Sequence, residues 1–207
     1  MSDKRDPFVV EEAQFALSFG KQRELPPPRP HELCVVGRSN VGKSSLINYL
    51  VDRRGLAHTS RTPGRTQVVN FFTVRIRRGQ LRPCELNLVD LPGYGFAKMP
   101  GAEQRRIEGL LSGYLSSGRE QAAAMQLIDS RREVEELDIE IQQQLVGAGF
   151  RTVIAATKID KLAKSHRASV AQRLARAFRD APVVLTSAEE RIGRVELWSE
   201  LWRALAL

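Results

Sequence analysis

The chain has 207 residues, 42% of them apolar and 27% charged, and carries a formal net charge of +8. That length builds one sizeable core and falls short of two ordinary domains. No apolar run is long enough to span a bilayer, the opening residues MSDKRDPF lack the apolar stretch of a secretion signal, and two cysteines without clustered histidines form no structural zinc site, so a cytoplasmic chain with reduced Cys34 and Cys84 is expected.

Residues 1–30 read as an N-terminal arm and connector, and residues 31–207 as the main domain. Phe8, Phe15 and Phe19 are spaced to form one face of a helix over residues 8–19. Pro26, Pro27, Pro28 and Pro30 then exclude both helix and central strand. From residue 31 onward strands and helices alternate. Residues 33–36 form a short buried strand, followed by a Gly-rich turn and a helix over residues 43–50. Residues 68–77 alternate Phe72, Val74 and Ile76 with Thr73, Arg75 and Arg77, the period of a strand. Residues 85–89 form a third strand. Residues 101–117 read as a helix that turns Ile107, Leu110, Leu111 and Tyr114 inward, and residues 122–128 as a buried strand. Val134, Leu137, Ile141 and Leu145 mark another helix, stopped by Gly147 and Gly149. Strand over 152–156, helix over 165–178 and strand over 182–185 follow. The final helix carries Val195, Trp198, Trp202 and Leu205, with both tryptophans expected in the core. This alternation predicts a mostly parallel six-stranded sheet with helices on both faces and ligands at the carboxyl ends of its strands.

The motifs fall at those strand ends. Gly37, Arg38, Ser39, Asn40, Val41, Gly42, Lys43 and Ser44 match G-x-x-x-x-G-K-[ST] between a strand and a helix. Glycines let the backbone curl around phosphate oxygens, and N–H groups with a helix N-terminus face that charge. Lys43 is placed for the β- and γ-phosphates, and the Ser44 hydroxyl for Mg²⁺. Asp90, Leu91, Pro92 and Gly93 follow a strand directly. Asp90 suits Mg²⁺ through water, and Gly93 suits a turn toward a γ-phosphate.

Thr157, Lys158, Ile159 and Asp160 convert nucleotide into guanine nucleotide. A carboxylate here accepts from guanine N1–H and N2–H₂, a donor pair that adenine lacks. The aliphatic stem of Lys158 can lie along the base. A threonine from the segment between the first helix and second strand should complete the Mg²⁺ shell. Thr62 and Thr66 are both available, and Thr66, just before the strand, is the choice. Gly64, Arg65, Thr66, Gln67 and Val68 are the candidate contacts of that segment. Thr186, Ser187 and Ala188 follow the last strand, where a backbone N–H suits guanine O6. Lys43, Thr66 and Gly93 are the candidate catalytic residues.

The charge is uneven. Residues 53–82 contain Arg53, Arg54, Arg61, Arg65, Arg75, Arg77, Arg78 and Arg82 and no acid, so the other 24 of the 32 basic residues balance the 24 acidic ones. Such a stretch suits a phosphate-rich partner such as RNA. A solvated arginine-rich face is the alternative, and the sequence leaves both open.

Taken together, GRSNVGKSSLIN at 37–48, TPGRTQ at 62–67, DLPGYGFAK at 90–98 and TKID at 157–160 resemble the EngB (YihA/YsxC) family of bacterial GTPases. The resemblance covers residues 8–205. It implies a single Ras-like P-loop domain that binds GTP and GDP with Mg²⁺, acts in large ribosomal subunit assembly, and is needed for normal division and septation. It further implies a cytoplasmic, monomeric protein whose partner is ribosomal RNA or an assembling large-subunit particle. In some related GTPases an asparagine at the Asn40 position helps hold K⁺; a loop-stabilising role is the alternative. Where many Ras-like enzymes have a water-orienting glutamine this chain has Tyr94, so slow intrinsic hydrolysis is expected. Two rivals are weaker. One is a signalling or trafficking switch that binds protein effectors and not RNA, its membrane form disfavoured by the ending Arg-Ala-Leu-Ala-Leu, which is no lipidation motif; the other is an ATPase or small-molecule kinase, disfavoured by Asp160.

Overall fold

The computed structural model describes residues 6–20, 25–57, 68–95, 100–119 and 122–207. Its elements are β1 (Phe8–Phe19), β2 (Glu32–Gly37), α1 (Lys43–Leu50), β3 (Val69–Arg78), β4 (Cys84–Asp90), α2 (Gly101–Leu115), β5 (Ala123–Asp129), α3 (Glu136–Gly147), β6 (Arg151–Thr157), α4 (Lys164–Ala177), β7 (Val183–Leu185) and α5 (Arg194–Ala204). The strands form one seven-stranded sheet in the order β1-β3-β4-β2-β5-β6-β7. Pairings from β4 through β7 are parallel; β1 and β3 run antiparallel to their neighbours.

Side-chain alternation along β2 explains why helices cover both faces. Leu33 and Val35 join the cluster that holds Leu46 and Ile47 of α1 with Leu197 and Trp198 of α5. Cys34 and Val36 point the other way, to Leu110 and Tyr114 of α2 and Ile141 of α3. Burial pushes the Cys34 thiol well above its ordinary range, and both cysteines are free thiols. The tryptophans are core residues as expected, and the Trp198 indole N–H donates to the Leu50 carbonyl at 2.9 Å.

The expected helix over residues 8–19 is corrected: this segment is β1, the seventh strand, which pairs along the whole of β3. Two register shifts, between Val10 and Glu12 and between Phe15 and Leu17, break the period-two pattern and make the apolar spacing look helical. The three phenylalanines do not share one face. Phe8 packs on Trp198 and Trp202, Phe15 on Phe72, and Phe19 on Phe71. Pairing also covers β3, which would otherwise be an open sheet edge.

β1 changes the standing of the arginine-rich stretch as well. The Glu11 carboxylate pairs with Arg75 at 3.1 Å and with Arg77 at 3.2 Å. Arg53 donates to the Glu11 carbonyl at 2.9 Å, and the Arg78 guanidinium lies over the Phe8 ring. Arg54 and Arg82 stay exposed, while Arg61 and Arg65 lie outside the described residues.

Candidate functional site

β2 ends at Gly37 in the middle of the sheet, and the chain leaves it into a tight loop. Asn40 at φ 63° and Gly42 at φ 103° give that loop its left-handed bends. Inside it, the Val41 N–H donates to the Arg38 carbonyl at 3.2 Å and the Ser39 N–H to the Tyr94 carbonyl at 3.0 Å. Gly42 caps α1 without a side-chain hydrogen bond, and the first turn carries no acid. No side chain of that turn therefore compensates its N–H groups or the positive end of the helix dipole.

Lys43 and Asp90 come together from α1 and the end of β4. The Lys43 ammonium contacts Asp90 Oδ1, both side chains being buried. A buried charge left alone costs several kcal/mol (~3–5), so each holds the other in place. Residues 91–94 then run beside β2: the Leu91 N–H donates to the Val35 carbonyl and the Tyr94 N–H to the Gly37 carbonyl. A Cβ at Gly93 would stand 3.2 Å from the Ser39 nitrogen, so a larger residue there would push the two loops apart by a few tenths of an ångström. The Tyr94 side chain turns inward. Its hydroxyl donates to Asp138 Oδ1 at 2.9 Å and accepts from Gln126 at 3.3 Å, and burial followed by the Asp138 charge pushes its ionisation far upward.

The residues at the end of β6 clamp the first loop from the other side. The Thr157 hydroxyl donates to the Val41 carbonyl at 2.8 Å. Lys158, left-handed at φ 61°, donates to the Asn40 carbonyl at 2.6 Å and pairs with Asp129 at 3.0 Å. Burial alone would raise the Asp129 carboxyl; hydrogen bonds from Arg131 and Lys158 outweigh it and hold it down at about 2. Asp160 sits in a 3₁₀ turn (Ile159–Lys161), its side chain 5% exposed. Ser187 donates to its Oδ1 at 2.6 Å, and Lys161 lies 3.1 Å from its Oδ2. Burial raises the Asp160 carboxyl, and these two partners bring it below its ordinary value.

The Thr186 N–H bonds the Ala156 carbonyl and the Ser187 N–H bonds the Ile192 carbonyl. The Ala188 N–H takes part in neither bond. Gly193 closes the loop: at φ 84°, a Cβ there would lie 2.2 Å from the Leu185 carbonyl oxygen.

The structure therefore brings residues 37–44, 90–93, 157–160 and 186–188 to one end of the sheet, with Val68 entering β3 nearby in sequence. Gly64, Arg65, Thr66 and Gln67 lie outside the described residues. Sequence reasoning missed Asp129, Asp138 and Gly193. Asp129 had a readable signal, because it ends a buried strand as Asp90 does. Asp138 had a weaker one, a carboxylate three residues after Glu135 whose Oδ2 accepts the Glu135 N–H.

A parallel sheet whose Gly-rich loop leads into a helix, with a lysine held by a strand-end carboxylate, defines a P-loop nucleotide-binding protein. The profile of the family described as 50S ribosome-binding GTPase matches residues 32–158. The chain is 40% identical over 200 residues to the probable GTP-binding protein EngB of Geobacter metallireducens, across 95% of this chain and 94% of that protein. In three dimensions it is similar to the crystal structure of a probable GTP-binding protein EngB, with a TM-score of 0.62 and 23% identity over 84% of this chain and 98% of that one. Its fold is also similar to Era in a complex with MgGDPNP and a segment of 16S ribosomal RNA, with a TM-score of 0.66 and 18% identity over 86% of this chain and 57% of that one. This chain belongs to the EngB family of GTP-binding proteins and is a GTP-hydrolysing enzyme.

Proposed function

We propose that this GTPase is a slow molecular switch in assembly of the large ribosomal subunit. The observation that carries the nucleotide half is the meeting of three strand-end loops: Lys43 on Asp90, Gly93 against Ser39, and Asp160 braced by Ser187. In this reading the Lys43 ammonium and the N–H groups at the start of α1 bind the β- and γ-phosphates. Asp160 accepts from guanine N1–H and N2–H₂, the Lys158 stem lines the base, and the Ala188 N–H meets O6.

The oxygen donors fit Mg²⁺, a hard cation that keeps part of its water shell. Asp90 is a buried strand-end carboxylate held by the Lys43 ammonium, beside which a hydrated cation would sit. Ser44, Asp90 through water, and Thr66 would hold the ion, which when bound with nucleotide neutralises phosphate charge. Gly93 would turn its N–H toward a γ-phosphate, a movement that exchanges its packing on Ser39 for a nucleotide contact.

The Tyr94 hydroxyl is engaged by Asp138 and orients no water, so isolated turnover is slow. Rapid hydrolysis by the purified protein contradicts this. Asn40, exposed and left-handed beside the phosphate loop, is a K⁺ contact in this reading. Equal hydrolysis rates in K⁺ and Na⁺ buffers remove that role.

The partner half rests on the family's description and on the chain's basic balance. The partner is ribosomal RNA in an assembling large-subunit particle, met by a cytoplasmic monomer, and division and septation depend on the protein through ribosome supply. Co-sedimentation with large-subunit particles tests this. Binding should be stronger with a non-hydrolysable GTP analogue than with GDP and should weaken with salt. Equal binding in both states, or salt-insensitive binding, contradicts the proposal.

A further inference from the structure

A second basic run lies at residues 161–180, where Lys161, Lys164, Arg167, Arg173, Arg176 and Arg179 face one acid, Asp180. The overall balance conceals it because acids elsewhere cancel it. α4 itself contains no acid. Val170 and Leu174, with Phe178 just past the helix end, pack on Ile154 and Ala156 of β6. That one apolar stripe leaves the opposite side of α4 to solvent.

Three of these basic residues are neutralised within the chain. Arg173 pairs with Glu133, Arg167 approaches Glu190 to 4.0 Å, and Lys161 is held by Asp160 and Glu189. Lys164, Arg176 and Arg179 are exposed and form no ion pair among the described residues. Lys164 and Arg176 lie about 18 Å apart along the helix axis at 1.5 Å per residue. That span reaches several consecutive phosphates of a nucleic-acid strand.

We infer that the outer side of α4 is a docking surface for the phosphate backbone of ribosomal RNA, contacted by Lys164, Arg176 and Arg179. The inference rests on the proposed ribosomal partner and names the surface that meets it. An anionic membrane fits less well. The exposed large apolar side chains of the described residues are Val9, Phe15, Leu81 and Val146, none of them on α4, so nothing there enters an acyl layer. α4 packs on β6 and β7 and shares no core cluster with Leu91 and Tyr94, the neighbours of Gly93. Its contribution to binding is therefore the same with GTP and with GDP, and nucleotide dependence arises elsewhere.

The test compares the full-length wild type with a Lys164→Gln, Arg176→Gln, Arg179→Gln triple variant. Each is titrated with protein-free large-subunit ribosomal RNA across a salt series, with GTP analogue and with GDP. The variant should fold and hydrolyse GTP like wild type, bind RNA about tenfold more weakly, and show a log–log salt slope flatter by about 2–3. The ratio of GTP-state to GDP-state affinity should not change. Wild-type-like binding by the variant overturns the role of α4 and leaves the ribosomal reading standing. Failure of the wild type to bind the RNA or large-subunit particles in either state overturns both. Loss of particle binding with RNA binding intact assigns the surface to a ribosomal protein, and preferential binding to phosphatidylglycerol vesicles assigns it to a membrane; either overturns the inference.

Discussion

In β3, Arg75 and Arg77 close on the single carboxylate of Glu11, whereas Lys164 and Arg176 on α4 and Arg179 just past its end form no ion pair among the described residues. The stretch around β3 is the richer in arginine, yet much of that charge tethers a neighbouring strand. α4 is less conspicuous in the sequence, yet Lys164 and Arg176 stay exposed on it without an ion pair among the described residues. Charge density along a chain therefore does not give the surface field. What decides it is which residues the fold brings opposite, here an acidic strand more than sixty positions away from the arginines it neutralises.

The largest effect that tests this contrast is on β1 itself. Phe8→Ala removes a buried ring from between Trp198 and Trp202 and should destabilise the protein by about 3–5 kcal/mol in denaturant unfolding. A loss near zero means that β1 is a dispensable strap and that its neutralisation of β3 is incidental.

Glu11→Gln sharpens the comparison at lower cost. These ion pairs are partly exposed, so unfolding stability should fall by less than about 1 kcal/mol. Freed of their carboxylate, Arg75 and Arg77 should steepen the salt dependence of ribosomal RNA binding by about 1–2. An unchanged slope shows that these arginines lie away from the RNA even when unpaired.

The smallest effect concerns Arg131, which belongs with the neutralised class through Asp129. The Asp129 carboxyl is depressed in the folded chain, so its stabilising contribution is complete above the ordinary unfolded value of about 3.9 and is lost as pH falls toward about 2. Asp129→Asn should flatten the acid limb of the stability curve in that window and leave its neutral-pH shape alone. An acid limb identical to wild type removes the pairing from the account.

Much of the fold was legible because local signals and tertiary structure agree. The buried run before Gly37, the glycine-lysine turn and the apolar stripes of the helices all lie within single elements. β1 was illegible because its two bulges erase the alternation that marks a strand, and because its partner is distant in sequence. The site motifs were legible as spacing, and their bracing was not. Nothing local to Tyr94 announces Asp138, and nothing local to Asp160 announces Ser187 or the close approach of Gly193 to Leu185. α4 was passed over because a whole-chain charge count averages it away.

In the proposed function, selectivity for guanine rests on Asp160. Nucleotide affinities of wild type and Asp160→Asn for GTP, ATP and XTP test it most directly. Wild type should prefer GTP strongly, and the variant should lose on the order of 100-fold or more in GTP affinity while gaining XTP, whose O2 replaces the N2–H₂ donor. An unchanged GTP preference in a folded Asp160→Asn protein would contradict it.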